Sequence, residues 1–558
     1  MESYREGGKI KKRVIAKLGR LDLIPKGQLL RMSKKLARYA GEEVYMENEI
    51  EAKESFIFGP LILIRKIWEE LGIGEIIGEE IGERVFVLTS CRLLSPQSEH
   101  GLSYFLKEYY VCDKRGRRWE AEWRDDIVER LYATDGRDRV KAEWGKLKRW
   151  YRTLDKLIER KEEIELRIYE RVKNLFSIKV DIIFYDITST YFEGNGAKGI
   201  ADYGYSRDEK GRNKQILLGI VLADGLPIAH HVFAGNISDK TTIDSVTEDL
   251  QKRFKLRNII FVADKGISTN DNIKKLRELE YKYIVGVSMR NVAEGKEILS
   301  SSSNYEWREY SKGVKYSEIK IGDERWILVD SEEKRGYEGR MREVWMEKGG
   351  KELEELKGRV RKGKLKEEKK IAYYLGSISK KYHVKRYFDW KIGEGKFEFW
   401  VDEKKLENEK GYEGKYLLRS TDSKLTTEDI IREYKQLWEI ESCFREIKDF
   451  IKIRPHRTER RVRAHIFIAV LAYLIEKVLQ RRIRKGGGRI TGQDALEFTK
   501  SVKVIDIEAG KNILKLVTQK IDKISEEIFN LFGIKLPRGF KETSVLTKND
   551  FIQRDLFY

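Results

Sequence analysis

Apolar and polar positions follow different periods along this chain, and the changes of period set out its elements. From Ile178 the pattern is that of β structure. "IKVDIIFYDITSTYF" is a near-continuous run rich in β-branched and aromatic residues, which predicts a strand covered on both faces. "QILLGIVLADGLPIAHHVFAGN" predicts two strands around an Asp224-Gly225 turn. "SDKTTIDSVTEDLQKRF" reads as a helix behind a Ser/Asp cap, "NIIFVADKG" as a buried strand, "STNDNIKKLRELE" as a helix and "YKYIVGVSM" as a strand. Three strands, helix, strand, helix, strand describe an α/β layer. Upstream, "LILIRKIWEELGI" opens a stretch of helical spacing that ends in the charged "EWGKLKRWYRTLDKLIERKEEIELRIYERV". At the N-terminus "GKIKKRVIAKLGRLDLIP" alternates like a short strand and "KGQLLRMSKKLARYA" has helical spacing. Short strand-like pieces between about 290 and 421, with a charged helical stretch over roughly 343–370, read as an inserted β-rich domain. Helices return from Thr426, and "KGGGR" reads as a linker. The predicted divisions are 1–55, 56–175, 176–290, 291–421, 422–485 and 486–558.

Composition narrows what such a chain does. At 558 residues it is too long for one core, and 40% hydrophobic with 11% aromatic residues suffice to build several. The 113 Lys and Arg against 93 Asp and Glu give a net charge of +20, which favours a polyanionic partner, nucleic acid first. The first forty residues hold twelve Lys or Arg against three acidic residues. Because they also carry apolar periodicity, they read as a small folded DNA-contacting module. The three cysteines, Cys91, Cys112 and Cys443, form no CxxC pair, which argues for a reducing compartment and against a structural zinc site. "MESYREGGKIKKRV" has no signal-peptide core, and the longest apolar run, Ile466 to Ile475, is too short to span a bilayer. The expected location is the cytoplasm, with no membrane partner.

Two predicted strands end in aspartates: Asp186 closes "IIFYD" and Asp264 closes "IIFVAD". Sites in open α/β sheets gather at the carboxyl ends of strands, and an acid there is costly without a cation or hydrogen-bond partner. Each alone reads equally well as the cap of a turn; together they favour a shared metal site. The third candidate lies in "YKQLWEIESCFREIK". Turned at 100° per residue with Tyr434 at zero, Leu437, Ile440, Phe444, Ile447 and Ile451 fall between about −60° and −140°, a buried stripe. Arg432, Lys435, Glu439 and Glu446 fall on the wet side. Glu441, Arg445 and Lys448 cluster beside Tyr434 on a third face. The alternative is an ordinary Glu–Arg pair one turn apart, worth a few tenths of a kcal/mol. Three carboxylates on two strands and a helix can hold two Mg²⁺ ions, and Arg445 and Lys448 would face the phosphate such a site cuts.

Four stretches then stand out: "YDITSTYFEG", "GYSRDEKGRNKQILLGIVLADGLPIAHHVFAGNISD", "FVADKGIST" and "YKQLWEIESCFREIKDFIKIRPHRTERRVRAHIFIAVLAYLI". They resemble bacterial and archaeal insertion-sequence transposases of the DDE type, in the group with a β-rich domain before the glutamate. The resemblance covers most of residues 60–535. It implies an α/β fold with a ribonuclease H-like core, interrupted by the β-rich insertion domain and preceded by a helical, basic N-terminal DNA-binding region. It makes Asp186, Asp264 and Glu441 the catalytic, metal-binding triad, using two Mg²⁺ ions with Mn²⁺ as the substitute. Related enzymes carry a Tyr-x2-Arg-x3-Glu-x6-Lys signature. Tyr434, Glu441 and Lys448 match it, while Leu437 stands at the arginine position, which leaves Arg445 as the candidate for that phosphate contact, with Tyr434 and Lys448 as the expected DNA- and phosphate-binding residues beside it. The implied reaction is hydrolysis at the transposon ends, then attack of the freed 3′-hydroxyl on target DNA. The implied partners are double-stranded DNA, as terminal inverted repeats and target, and a second copy of the chain.

Arg454, Arg457 and Arg461, in "KIRPHRTERRVRAH", are dense enough to be further phosphate contacts. His230 and His231, with no carboxylate in nearby sequence, read as structural. Two alternatives stay open: a ribonuclease H-like nuclease without strand transfer, and a catalytically inactive DNA-binding derivative of a transposase.

Overall fold

The computed structural model describes residues 2–14, 20–41, 45, 49–99, 101–113, 117–119, 137–178, 181–192, 194–204, 212–238, 241–257, 259–451, 458–509, 512–536 and 539–541. The chain divides into two units, one of Met1–Leu63, Leu106–Glu120 and Asp494–Tyr558, the other of Ile64–Phe105 and Ala121–Gln493. In the first unit the basic start forms an antiparallel hairpin, Glu2–Glu6 with Lys9–Arg13. The helical spacing of "KGQLLRMSKKLARYA" becomes the helix Lys26–Tyr39. Strands Ile50–Ile57, Lys503–Ala509, Asn512–Val517 and Gly539–Lys541 make a four-stranded antiparallel sheet.

The second unit is built on a nine-stranded sheet in a mixed α/β layer. Its strands are β1 (Ile182–Tyr191), β2 (Gln215–Ala223), β3 (Leu226–Ala234), β4 (Ile260–Ala263), β5 (Lys282–Val287), β6 (Arg308–Ser311), β7 (Val314–Ile321), β8 (Glu324–Ser331) and β9 (Lys415–Ser420). They lie in the order β3-β2-β1-β4-β5-β9-β8-β7-β6. Strands β1, β2 and β3 run antiparallel, and β4 and β5 continue parallel to β1. The β2–β3 turn has Asp224 at φ 51° and Gly225 at φ 72°, the paired positive angles that its Asp-Gly sequence announces. Helices α1 (Ile243–Lys252) and α2 (Asn270–Glu278) supply the crossovers. Their Val246, Leu250, Ile273 and Leu276 share a core with Ile183, Tyr185, Ile187, Leu217 and Phe261.

Residues 291–421 do not stand apart from this sheet, because β9 pairs antiparallel with β5 and carries the ladder on to β8, β7 and β6. The segment is also more helical than its pattern suggested. The charged stretch expected over 343–370 becomes α3 (Glu332–Arg361) and α4 (Glu368–Tyr382). These two share a core of their own with the hairpin Phe388–Gly393 and Lys396–Val401. The chain then forms α5 (Thr427–Lys435), α6 (Leu437–Ile451) and α7 (Glu459–Lys485). The apolar run from Ile466 to Ile475 lies wholly buried in α7. No helix among the described residues is long and apolar enough to cross a membrane.

Candidate active site

The parallel register of β1 and β4 explains how two aspartates 78 positions apart meet. The ladder ends with Tyr185 opposite Ala263, so the next residue on each strand is an aspartate, Asp186 and Asp264. Alternation does the rest. Ile183, Tyr185 and Ile187 enter the core, with the Tyr185 hydroxyl 3.0 Å from Thr242 Oγ1, so Asp186 faces the other side. Asp264 follows directly on the last residue of its strand, which stops one position short of the predicted end. Asp186 does not: β1 continues beside β2 to Tyr191, and Asp186 lies mid-strand, at the point where only the pairing to β4 stops.

Helix α6 packs against β1 and brings Glu441 to the aspartates. Asp186, Asp264, Glu441, Arg445 and Lys448 line one cavity of about 560 Å³. Both aspartates are half-buried and Glu441 is exposed. Asp449, which sequence reasoning passed over, lines the same cavity. Its signal was available, since it lies one turn after Arg445 on the same flank. The Arg445 guanidinium reaches Ser442 Oγ at 3.4 Å. Carboxylate oxygens and an open wall fit a hard divalent cation in kind. As the side chains stand, no three His, Cys, Asp or Glu among the described residues form a ready metal-holding group.

The helix drawn through Tyr434 is two helices, since α5 ends at Lys435 and α6 starts at Leu437. Tyr434 therefore shares no helical face with Glu441. Its half-buried side chain joins the site differently, donating from its hydroxyl to Asp264 Oδ1 at 3.0 Å. Burial first, then the Asp264 charge, drives its phenol far above the usual range, so it remains a donor. Within α6 the buried stripe holds at Ile440, Phe444 and Ile447, but Leu437 is only half-buried. Glu439 and Glu446, expected on the wet side, are half-buried as well. They line a second cavity of about 620 Å³ on the other flank, where Glu446 Oε2 lies 2.7 Å from Lys477 Nζ.

The other basic candidates separate. Arg461 is turned into the protein, in a two-pronged pair with Asp155 at 3.1 and 2.9 Å and over the Tyr151 ring. Arg454 and Arg457 lie outside the described residues. The two histidines do have carboxylate partners, supplied from helices distant in sequence. His230 Nδ1 lies 2.6 Å from Glu165 Oε1, and His231 Nε2 lies 3.3 Å from Asp249 Oδ2.

Comparison with known proteins shows the family of the chain. The family model described as the transposase DDE domain matches residues 180–475, and the chain belongs to the DDE transposases of insertion sequences. Residues 1–49 match the N-terminal domain of IS1634 family transposases. No curated protein matches the chain. Among solved structures, a piggyBac transposase synaptic complex with hairpin DNA is similar at 9% identity, over 89% of each chain, with a TM-score of 0.37. A Mos1 transposase paired-end complex with the left transposon end is similar at 13% identity, over 36% of this chain and 76% of that one, with a TM-score of 0.15.

Proposed function

We propose that this transposase cleaves double-stranded DNA at the terminal inverted repeats of its insertion sequence and joins the freed 3′-hydroxyl to target DNA. Asp186, Asp264 and Glu441 are its catalytic carboxylates. The observation that carries this reading is the β1–β4 register, which puts two aspartates side by side at mid-sheet with Glu441 on the same cavity. The order β3-β2-β1-β4-β5 supports a ribonuclease H-like core, with residues 291–421 inserted before the helix that bears the glutamate.

The three carboxylates would hold two Mg²⁺ ions, or Mn²⁺ in their place. When bound, such ions supply charge stabilisation to the attacking and leaving oxygens of an in-line displacement. Arg445 and Lys448 face the scissile phosphate and stabilise the charge that gathers on its oxygens. Cutting and joining are both displacements at phosphorus, so one site serves both. The chain's net charge of +20 supports binding along the DNA backbone. Two copies pair the two ends, in the cytoplasm of the host.

The test uses purified protein, Mg²⁺ and a labelled duplex carrying the element's own end. Wild type nicks the end and joins it to target DNA, whereas Glu441→Gln binds the duplex and does neither. Equal cleavage by both proteins would remove Glu441 from the site.

A further inference from the structure

We infer that Tyr434 is the positioning residue for Asp264, and that the inserted segment builds its seat. The inference rests on the reading of Asp264 as a metal ligand.

Three features converge on the Tyr434 ring. Its hydroxyl donates to Asp264 Oδ1 at 3.0 Å. Its face stacks on Tyr416 of β9, with ring centroids 6.2 Å apart and planes at 21°. Beneath it lies Gly286 of β5, where an added Cβ would collide with the hydroxyl oxygen and sit 3.1 Å from Cζ. A side chain at 286 would therefore push the Tyr434 hydroxyl out of its present place. The phenol is fitted to one carboxylate oxygen of Asp264, whose side chain also lines the cavity, and so fixes its rotamer.

Helix α5, which carries Tyr434, is held at both ends by strands β6 to β8. At its start Arg325 of β8 donates to the carbonyls of Leu425 (2.6 Å) and Asp422 (3.1 Å) and to Thr427 Oγ1 (3.0 Å). The Tyr316 hydroxyl of β7 bonds Glu428. At its end Lys435 Nζ lies 4.4 Å from the centre of the Tyr310 ring, on β6. The orientation of a core carboxylate is thus set through a phenol whose helix and stacking partner both depend on residues 291–421. Groups that orient a metal ligand from behind typically change metal affinity 10- to 100-fold when removed.

The experiment measures Mn²⁺ binding to the full-length protein alone, by the loss of the free-ion paramagnetic resonance signal, for wild type, Tyr434→Phe, Gly286→Ala and Asp264→Asn. Thermal melts and DNA affinity accompany each. Tyr434→Phe should raise the Mn²⁺ Kd about tenfold or more, with DNA affinity unchanged and cleavage restored at high Mg²⁺. Gly286→Ala should move Kd in the same direction, and it tests the seat independently if Tyr434→Phe folds poorly. Wild-type Mn²⁺ affinity in Tyr434→Phe, with affinity lost in Asp264→Asn, would overturn this inference and leave the carboxylate assignment intact. Wild-type affinity in both would overturn the two together.

Discussion

Carboxylates in the second unit are held in two opposite ways. Around the cavity beside α6, Glu441 is exposed, the aspartates are half-buried, and the cations Arg445 and Lys448 line the same wall. Behind the sheet, Glu165 is 5% exposed and closed in on all sides. Lys161 Nζ and Arg253 Nη1 each lie 2.8 Å from Oε2, while Oε1 meets His230 through both its ring and its main-chain N–H. Burial alone would raise its pKa, yet these neighbours hold it well below the ordinary value. His230 is held neutral, lowered to about 4 by burial and by Lys161 against the pull of Glu165. The same residue types thus serve as a cross-link between helix Lys161–Phe176, β3 and α1 in one place, and line an open wall in the other. Burial separates the roles; residue identity does not.

The largest expected effect breaks the open site. Asp186→Asn, Asp264→Asn or Glu441→Gln should each lower end cleavage by at least about 100-fold, with melting temperature unchanged; single-turnover cleavage and a thermal melt check both halves. Glu165→Ala should do the reverse. It leaves Lys161 without its carboxylate and Arg253 with Asp249 alone, at a cost of about 3 kcal/mol in denaturant unfolding, with cleavage per folded molecule near wild type.

The closed network also has a pH signature. Unfolded His230 takes up its proton near 6.5, the folded one only at about 4. Between those values the unfolded chain binds more protons, so this stabilisation is complete above about pH 6.5 and is lost as pH falls, by up to about 3 kcal/mol. Glu165, depressed by its cations, adds a further loss below the ordinary carboxylate value of 4.5. Melting temperature measured from pH 8 to pH 4 should show the decline, and His230→Gln should remove its upper part. The smallest effects separate two arginines. Arg445→Ala should weaken DNA binding and reduce its salt slope by about one. Arg461→Ala should leave the slope unchanged and cost only about 0.5–1 kcal/mol of stability, because its charge is already paired with Asp155.

How much of this was legible in the sequence follows from how local each signal is. The order of strands and helices from Ile182 to Val287 could be read directly, because each element carries its own period and turn. The aspartates were legible as acids on apolar strands, and Glu441 with Arg445 and Lys448 as one flank of a helix. Contacts made at long range were not. Nothing local announces the break at Gln436, which is neither Gly nor Pro, and Tyr434 reaches its partner 170 positions away. Glu165 meets the main chain of His230 65 positions on, and Arg461 meets Asp155 across 306. The continuation of the core sheet through β9 was hidden likewise, since an edge-to-edge pairing leaves no mark on the period of either strand.

The central claim is that Asp186, Asp264 and Glu441 are one divalent-ion site, whereas the carboxylates on the other flank of α6 are structural. Anomalous scattering from Mn²⁺-soaked crystals tests it directly. The account predicts manganese density among Asp186, Asp264 and Glu441. Density between Glu439 and Glu446, with none between the aspartates, would contradict it.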